Sequence, residues 1–381
     1  MRRTDIDVLR IVLCAGVIVA HALLIFAVEP RYHLKSAQPD MVASAMYEFL
    51  RPTLMTTWFV LAGWASLKSL RSRGALRFVG ERVTRLLVPL TVGIVAFGSV
   101  IKYIELSHGR DLGFHGLRLV APLQESFFEF FPNNLKFLKL LTWSHLYFLA
   151  YLFLMSVLLL PLLMRLVKRA PNHSVPPAWM AYLPALPMAA LLMVFHGFWP
   201  YMPNLIHDWA NFGYFTLCFA IGAGIAIWPG FETRLRAEAP RLAIVMLLAF
   251  AGMMWVEEST LGRLFVGVLG WSAVGAGLGF AARLNPPDWP LAIYLNEAML
   301  PVFIIHHAPL LLIGVAVLPL AVPVFVKVAV MAIGATAISL AAYHWLIRPW
   351  PPMRFLMGMN PKPSAPPVTG LPAAAAKAPV G

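Results

Sequence analysis

The chain has 381 residues, of which 60% are hydrophobic and only 12% are charged, and its formal net charge is +13. A soluble domain carries about 25% charged residues, so this composition excludes a cytosolic enzyme, a disulfide scaffold and a disordered protein. It also argues against a nucleic-acid binder, because Lys and Arg accumulate on the cytoplasmic side of membrane proteins and account for a high net charge there.

Ten apolar stretches predict a multi-pass membrane protein, because about 20 apolar residues in a helix cross a hydrocarbon core roughly 30 Å thick. They lie near residues 9–28, 47–67, 84–103, 145–164, 180–199, 212–228, 242–256, 263–281, 297–318 and 322–347. We therefore expect an all-α fold with about ten transmembrane helices over residues 1–358. Residues 359–381 are rich in Pro and Ala and predict a disordered cytoplasmic tail.

The distribution of cationic residues predicts the orientation of these spans. With ten crossings, about two thirds of the 30 Lys and Arg residues fall on the side that carries both termini, which places both termini in the cytoplasm. Ala20-His21-Ala22 is similar to a signal-peptide cleavage site, but Asp5 and Asp7 precede the apolar run and the run continues to Val28. These features favour a retained first span over a cleaved signal peptide.

The first span contains two ionisable residues at positions that hydrocarbon disfavours, and such residues are candidates for function. Arg10 and His21 are separated by eleven residues, which places both side chains on one helical face, about 16 Å apart along the axis. Asp7 precedes Arg10 by three residues and is placed to pair with its guanidinium. A histidine suits proton transfer and a fixed cation suits an anionic ligand. The alternative is that Arg10 is a topological anchor and His21 makes an interhelical hydrogen bond.

The start of the third span carries a pair of arginines. Arg82 and Arg85 are three residues apart, so a helix places them on one side at the cytoplasmic boundary. Such a pair is suited to binding a phosphate group by charge-assisted hydrogen bonds. The competing interpretation is that topology alone requires cations at this edge of the membrane.

Three later positions complete the candidate site. His145 begins the fourth span and is a candidate for binding a substrate or for supporting a catalytic base. A histidine at the end of a span, however, often only binds a neighbouring carbonyl group. In the ninth span, His306 and His307 follow Pro301, whose missing amide frees a backbone carbonyl. Because adjacent residues point in different directions, we expect only one of these two histidines to be functional. Glu297 is a candidate partner for a buried cation, or a residue favoured near a helix start.

No metal site is predicted. His196 and His207 lie near Asp208, but the sequence offers no third ligand at a spacing typical of zinc sites. The run Gly275-Ala276-Gly277-Leu278-Gly279 lies inside an apolar span, where it indicates close helix packing and not a dinucleotide-binding loop.

Several motifs in order resemble the acyltransferase-3 family of integral membrane acyltransferases. Asp7-x-x-Arg10 followed by His21 is similar to the opening signature of the family. The later matches are Trp58-Phe59-Val60-Leu61-Ala62-Gly63-Trp64, Arg82-Val83-Thr84-Arg85-Leu86-Leu87-Val88-Pro89, Ser144-His145-Leu146-Tyr147-Phe148-Leu149 and Glu297 through Pro301 to His306. Ala62 replaces the usual serine and Tyr147 the usual tryptophan. The closing stretch, Ile347-Arg348 through Gly358, looks most like the glucan biosynthesis protein C branch.

This resemblance implies O-acyl transfer, with an acetyl or succinyl group moving from a cytoplasmic acyl-CoA-type donor to a hydroxyl of an extracytoplasmic glycan. It implies that acyl-CoA is a co-substrate and that no cofactor is tightly bound. In this interpretation His21 is the general base, and Arg10 orients either charge on the donor or the negative charge that develops during transfer. Arg82 and Arg85 clamp the donor phosphates. His306 is favoured over His307.

Two alternatives belong to other functional classes. A proton-coupled transporter or flippase would also place His and Arg residues inside the membrane, and it would need alternating access. A non-catalytic membrane subunit of a glycan-synthesis complex would use the same spans to organise partner proteins. The expected partners are therefore the acyl donor, the glycan acceptor, the lipid bilayer and possible glycan-synthesis proteins, with no nucleic acid.

Overall fold

The computed structural model describes residues 3–113, 116–136, 142–196, 204–205, 207–256, 259–287 and 289–360. The predicted all-α class is confirmed, since 77% of these residues are helical. The only sheet among them is a two-stranded hairpin, Arg110–Gly113 with Gly116–Leu119. Most of the predicted tail, residues 361–381, lies outside the described residues.

The described helices are numbered here in chain order. In chain order they are α1 (Thr4–Leu24), α2 (Met41–Arg73), α3 (Ala75–Ser107), α4 (Phe127–Lys136), α5 (Tyr147–Leu158), α6 (Leu160–Val167), α7 (Ala185–Val194), α8 (Trp209–Ala226), α9 (Pro229–Val256), α10 (Thr260–Leu284), α11 (Pro290–Ile305), α12 (His307–Val317), α13 (Val324–Ala342) and α14 (Pro351–Leu356). The strands of the hairpin, β1 and β2, come between α3 and α4.

Six of the described helices are long and apolar enough to cross a membrane, and eight spans result if each of two bent helix pairs makes one crossing. The sequence predicted ten. The difference has two sources. The second apolar stretch lies in α2, where polar residues such as Thr53 and Thr56 lower the hydropathy. In the described part of the fifth stretch the longest helix is the 10-residue α7, which is too short to cross a bilayer.

The helices are arranged in layers around α1 and α10. About half of α1 and 61% of α10 are buried inside the protein, whereas only 17% of α9 and 28% of α13 are buried. Outer helices therefore present apolar side chains such as Leu248 and Ile333 outwards, as expected of lipid-facing surfaces. The central position of α1 brings its polar residues into the interior of the bundle.

Small residues allow the closest helix crossing. A Cβ atom on Gly63 of α2 would lie 1.9 Å from the carbonyl oxygen of Phe219, and one on Gly222 of α8 would lie 1.9 Å from that of Val60. The two backbones therefore meet where neither helix carries a side chain, as is typical of helix packing in membranes. The predicted packing role of the glycine run in α10 agrees with the structure, since Gly279 meets the backbone of α9 in the same way.

A bend of 60° separates α11 from α12. Pro309 explains it, because proline has no amide hydrogen and its ring clashes with the carbonyl group four residues earlier, here that of Ile305. The break leaves carbonyl groups at the end of α11 available to side chains. His145 uses them, with its Nε2 atom 2.9 Å from the carbonyl oxygen of Phe303.

The segment between α1 and α2 folds back over the end of α1. Lys35 donates a hydrogen bond of 2.6 Å to the carbonyl oxygen of Leu24, and Ser36 donates one of 2.9 Å to that of Ile25. The hairpin fixes the same segment from the other side, because Arg110 donates a hydrogen bond of 2.9 Å to the carbonyl oxygen of Tyr32. These contacts hold Tyr32 and His33 buried in the interior.

Candidate active site

A cavity of about 760 Å³ lies inside the helical bundle. Arg10 and His21 of α1 both line it, and by helical rise they are about 16 Å apart along the helix axis. Arg85 of α3, His33 and Ser144 line the same cavity. The cavity thus connects a cationic region to a histidine-rich one.

The cavity wall carries an excess of positive charge. The cationic residues that line it are Arg10, Arg31, Arg51, Arg85, Lys102 and Arg263. No Asp or Glu lines it among the residues that the structure describes. Such a cavity favours anionic ligands, because arginine presents several donors to phosphate and carboxylate groups.

Arg10 is held by charge from the same helix. Asp7 is buried and its carboxylate attracts the guanidinium of Arg10. The Nε atom of Arg10 is buried and has no hydrogen-bond partner in the described part of the chain. A donor left without a partner at the wall of a cavity is available to a ligand.

His21 stands among three other imidazole rings. Its ring centroid is 4.5 Å from that of His307, 5.5 Å from that of His306 and 6.1 Å from that of His145. No hydrogen bond to His21 is found among the described residues. Its ring nitrogens are nevertheless not among the fully buried polar atoms that lack a partner, so they are open to the cavity. Its polar atoms therefore face the cavity, whereas the nitrogens of the other rings mostly bind protein atoms.

A chain of hydrogen bonds fixes two of these rings. The Nε2 atom of His145 donates to the Phe303 carbonyl oxygen, which leaves Nδ1 of the neutral ring as an acceptor. The Nδ1 atom of His307, 2.9 Å away, must then donate to it, and the Nε2 atom of His307 accepts from the hydroxyl of Tyr32 at 2.9 Å. Each ring has one consistent tautomer in this arrangement.

A second polar cluster borders the first. The Nδ1 atom of His33 is 2.5 Å from a carboxylate oxygen of Glu105, and its Nε2 atom is 2.8 Å from the hydroxyl oxygen of Ser144. That hydroxyl oxygen is also 3.4 Å from Nδ1 of His307. Glu105 is completely buried and accepts hydrogen bonds from Lys102 and from the backbone N–H of Leu112.

Asp111 of the hairpin is a second carboxylate partner of Lys102. The ammonium group of Lys102 donates a hydrogen bond of 2.5 Å to the carboxylate of Asp111. Burial alone would raise the pKa of Asp111, but its hydrogen bonds with Lys102 and Arg118 lower it below its ordinary value. Asp111 therefore remains charged and keeps Lys102 in place beside Glu105.

The structure brings together some of the candidates predicted from sequence. His21, His145 and His306 have adjacent rings, and Arg10 lies along the same cavity. Between the two adjacent histidines of the ninth span, however, His307 and not His306 lines the cavity. The Nδ1 atom of His306 is 2.8 Å from the carbonyl oxygen of Phe303, and its Nε2 atom is buried without a partner among the described residues. The break before α12 turns His307 inwards.

Two further candidates lie away from the histidines. Glu297 accepts a hydrogen bond of 2.8 Å from the buried guanidinium of Arg354 and does not line the cavity. Of the two arginines in α3, only Arg85 lines the cavity, while the guanidinium of Arg82 lies over the ring of Phe78 at 4.6 Å. A π-helical turn at Val83–Leu87 directly follows Arg82 and contains Arg85, so the rotation between the two side chains differs from that of an α-helix.

Sequence reasoning missed Tyr32, His33, Glu105 and Ser144. A signal existed for Glu105, because it is a carboxylate at the end of the third apolar stretch, with Lys102 one turn earlier. No spacing connects these residues, since they come from three separate segments of the chain. No group of His, Cys, Asp and Glu suited to holding a metal ion occurs among the described residues.

Comparison with known proteins gives one match. The model of the acyltransferase-3 family, described as an acyltransferase domain, matches residues 3–344. No curated protein matches the chain, and no solved structure matches it. The matched range contains every residue that lines the cavity.

Proposed function

Because this chain belongs to the acyltransferase-3 family, it is a membrane acyltransferase, and we propose that it transfers an acetyl or succinyl group to a hydroxyl of an extracytoplasmic glycan. The donor in this proposal is an acyl-CoA-type thioester in the cytoplasm. The protein would lie in a bacterial inner membrane with both termini cytoplasmic, as the cation distribution predicts.

The observation that carries this proposal is the state of His21. It is the imidazole whose nitrogens face the cavity, while His145 and His307 are engaged in hydrogen bonds with protein atoms. A general base needs a free lone pair within reach of the substrate proton. In the proposal, His21 removes the proton of the acceptor hydroxyl as the acyl carbon is attacked.

The cationic region supports the placement of the donor. Arg10 and Arg85 line the cavity near the N-terminal end of α1, which the cation distribution assigns to the cytoplasm. The phosphates of an acyl-CoA carry the negative charge that such a region binds, and the acyl thioester would extend towards His21. Asp7 would keep Arg10 in position by charge attraction.

His145 and His306 are positioning residues in this proposal. The tautomer of His145 fixes the ring of His307, and the ring of His307 packs against His21 at 4.5 Å. The ring of His306 contacts His21 from another side at 5.5 Å. Glu297 would act at a distance, by holding Arg354 and the segment after α13 against the bundle.

The test uses purified full-length protein in vesicles, with labelled acetyl-CoA or succinyl-CoA and an envelope glycan as acceptor. We expect label on the glycan, and a loss of about a hundredfold to ten-thousandfold in rate for His21→Ala. His173→Ala is the matched control, because His173 is exposed. Label crossing the membrane without covalent attachment would instead indicate transport. A His21→Ala protein that keeps the normal rate would remove His21 from the mechanism.

A further inference from the structure

Ser144, His33 and Glu105 have the arrangement of a nucleophile, a base and an orienting carboxylate. The hydroxyl oxygen of Ser144 is 2.8 Å from Nε2 of His33, and Nδ1 of the same ring is 2.5 Å from the carboxylate of Glu105. Both distances are within the range that activates a serine. Ser144 lies in the turn before α5, His33 in the segment after α1 and Glu105 at the end of α3.

The partners of Glu105 decide the direction of these hydrogen bonds. Its carboxylate is surrounded by donors, namely Lys102 and the backbone N–H of Leu112, so it is an acceptor for Nδ1 of His33. A neutral imidazole with its proton on Nδ1 has its lone pair on Nε2. The hydroxyl of Ser144 therefore donates to His33, which is the orientation that a general base requires.

The backbone of Ser144 is constrained. Its φ angle is +43°, a left-handed value that non-glycine residues adopt at a cost of order 1–3 kcal/mol. A serine held on a sharp turn before a helix exposes its hydroxyl to an adjacent cavity, and Ser144 does line the cavity.

We propose that Ser144 is a nucleophile that carries the acyl group between donor and acceptor, with His33 as its base and Glu105 as the orienting carboxylate. This inference rests on the proposed function and divides it into two half-reactions. Acyl transfer would then proceed through an ester on Ser144 and not by direct attack of the acceptor on the thioester.

The first half-reaction forms the acyl-enzyme. His33 takes the hydroxyl proton of Ser144, the oxygen bonds to the acyl carbon, and the carbon–sulfur bond of the donor breaks. His33 then gives the proton to the departing thiolate, which leaves as a thiol. No oxidant, reductant or further reactant is required.

The second half-reaction uses the other histidine. His21 takes the proton of the acceptor hydroxyl, whose oxygen bonds to the acyl carbon while the ester bond to Ser144 breaks. The proton on His21 then returns to the oxygen of Ser144 and restores its hydroxyl. His307 lies between His21 and Ser144, since its ring centroid is 4.5 Å from that of His21 and its Nδ1 atom is 3.4 Å from the hydroxyl oxygen of Ser144. Donor and acceptor chemistry thus have separate bases.

The experiment exposes purified full-length protein to labelled acetyl-CoA or succinyl-CoA without acceptor and stops the reaction in acid. We expect a burst of about one thiol per enzyme molecule and label on the peptide that contains Ser144. Ser144→Ala should remove the label and reduce glycan transfer at least about a thousandfold. Ser156→Ala is the matched control, since Ser156 is buried in α5 and its hydroxyl has no partner among the described residues.

His21→Ala tests the division of labour without altering Ser144. We expect this variant to form the labelled Ser144 peptide and to keep the label when glycan is added, whereas the unmodified protein loses it to the glycan. His33→Ala should fail to form the labelled peptide.

Two results would overturn the covalent step while leaving the proposed function intact. One is label on the glycan with none on Ser144 in any variant, and the other is unchanged transfer by Ser144→Ala. A protein that labels neither the glycan nor Ser144 would refute the proposed function as well.

Discussion

Replacing Arg85 and Arg82 separately distinguishes a ligand contact from a structural cation. Arg85 lines the cavity and Arg82 lies over Phe78. If donor phosphates bind in the cationic region, Arg85→Ala should weaken donor binding while Arg82→Ala leaves it unchanged. The two residues are three positions apart in the same helix, so each is a close control for the other.

The expected size follows from the contact that is lost. A hydrogen bond to a charged group contributes about 1.5–3 kcal/mol, and each 1.36 kcal/mol corresponds to a factor of ten. Arg85 is half-buried and already donates a hydrogen bond of 2.6 Å to Asn360, which favours the lower end of that range. We therefore expect Arg85→Ala to raise KM for the donor about tenfold.

The assay is the rate of thiol release at varied acyl-CoA concentration, repeated at low and high salt. Because the contact is ionic, the difference between Arg85→Ala and the unmodified protein should shrink as salt rises. An equal rise in KM for Arg82→Ala would contradict the reasoning from the structure and support the arginine pair predicted from the sequence. If neither variant changed KM for the donor, the arginines of α3 would have no part in donor binding.

Three further predictions concern stability. In a denaturant titration, Arg354→Met should lower the free energy of unfolding by about 3–5 kcal/mol, because it leaves the carboxylate of Glu297 without its cation. Glu297→Gln keeps a hydrogen-bond acceptor and should lower this free energy by less. Both variants should retain their activity per folded molecule. Gly63→Ala should lower the melting temperature, since its Cβ would overlap a backbone carbonyl, whereas Gly224→Ala, with open space around it, should not. Burial lowers the pKa of Lys35 to about 8 from an ordinary 10.5. Between these two pH values the unfolded chain binds more protons than the folded protein, so the melting temperature should rise with pH there. Lys35→Met should abolish this rise.

The number of spans shows where reasoning from hydropathy stops. Every predicted apolar stretch overlaps a helix, because the apolar runs are long and clear. A hydropathy run cannot show that α7 ends after 10 residues or that Pro309 bends the ninth stretch into two helices. Those features depend on which carbonyl groups and side chains surround each segment.

The candidate site divides in the same way. Arg10 and His21 were predictable because both lie on one continuous helix, whose period fixes their relative direction. The choice between His306 and His307 was not, because the bend of 60° between α11 and α12 changes the direction that a straight helix would give to these side chains. For Arg82 and Arg85, a π-helical turn changes the rotation per residue that the sequence reasoning assumed.

Composition and periodicity by themselves determined that this chain is a helical membrane protein, and the order of its motifs predicted the family to which it belongs. Only the tertiary structure placed Ser144 beside His33 and Glu105, because those residues are separated by 39 to 111 positions along the chain. Local sequence fixes the direction of side chains within one helix. The meeting of separate segments is decided by helix packing, and no local pattern records it.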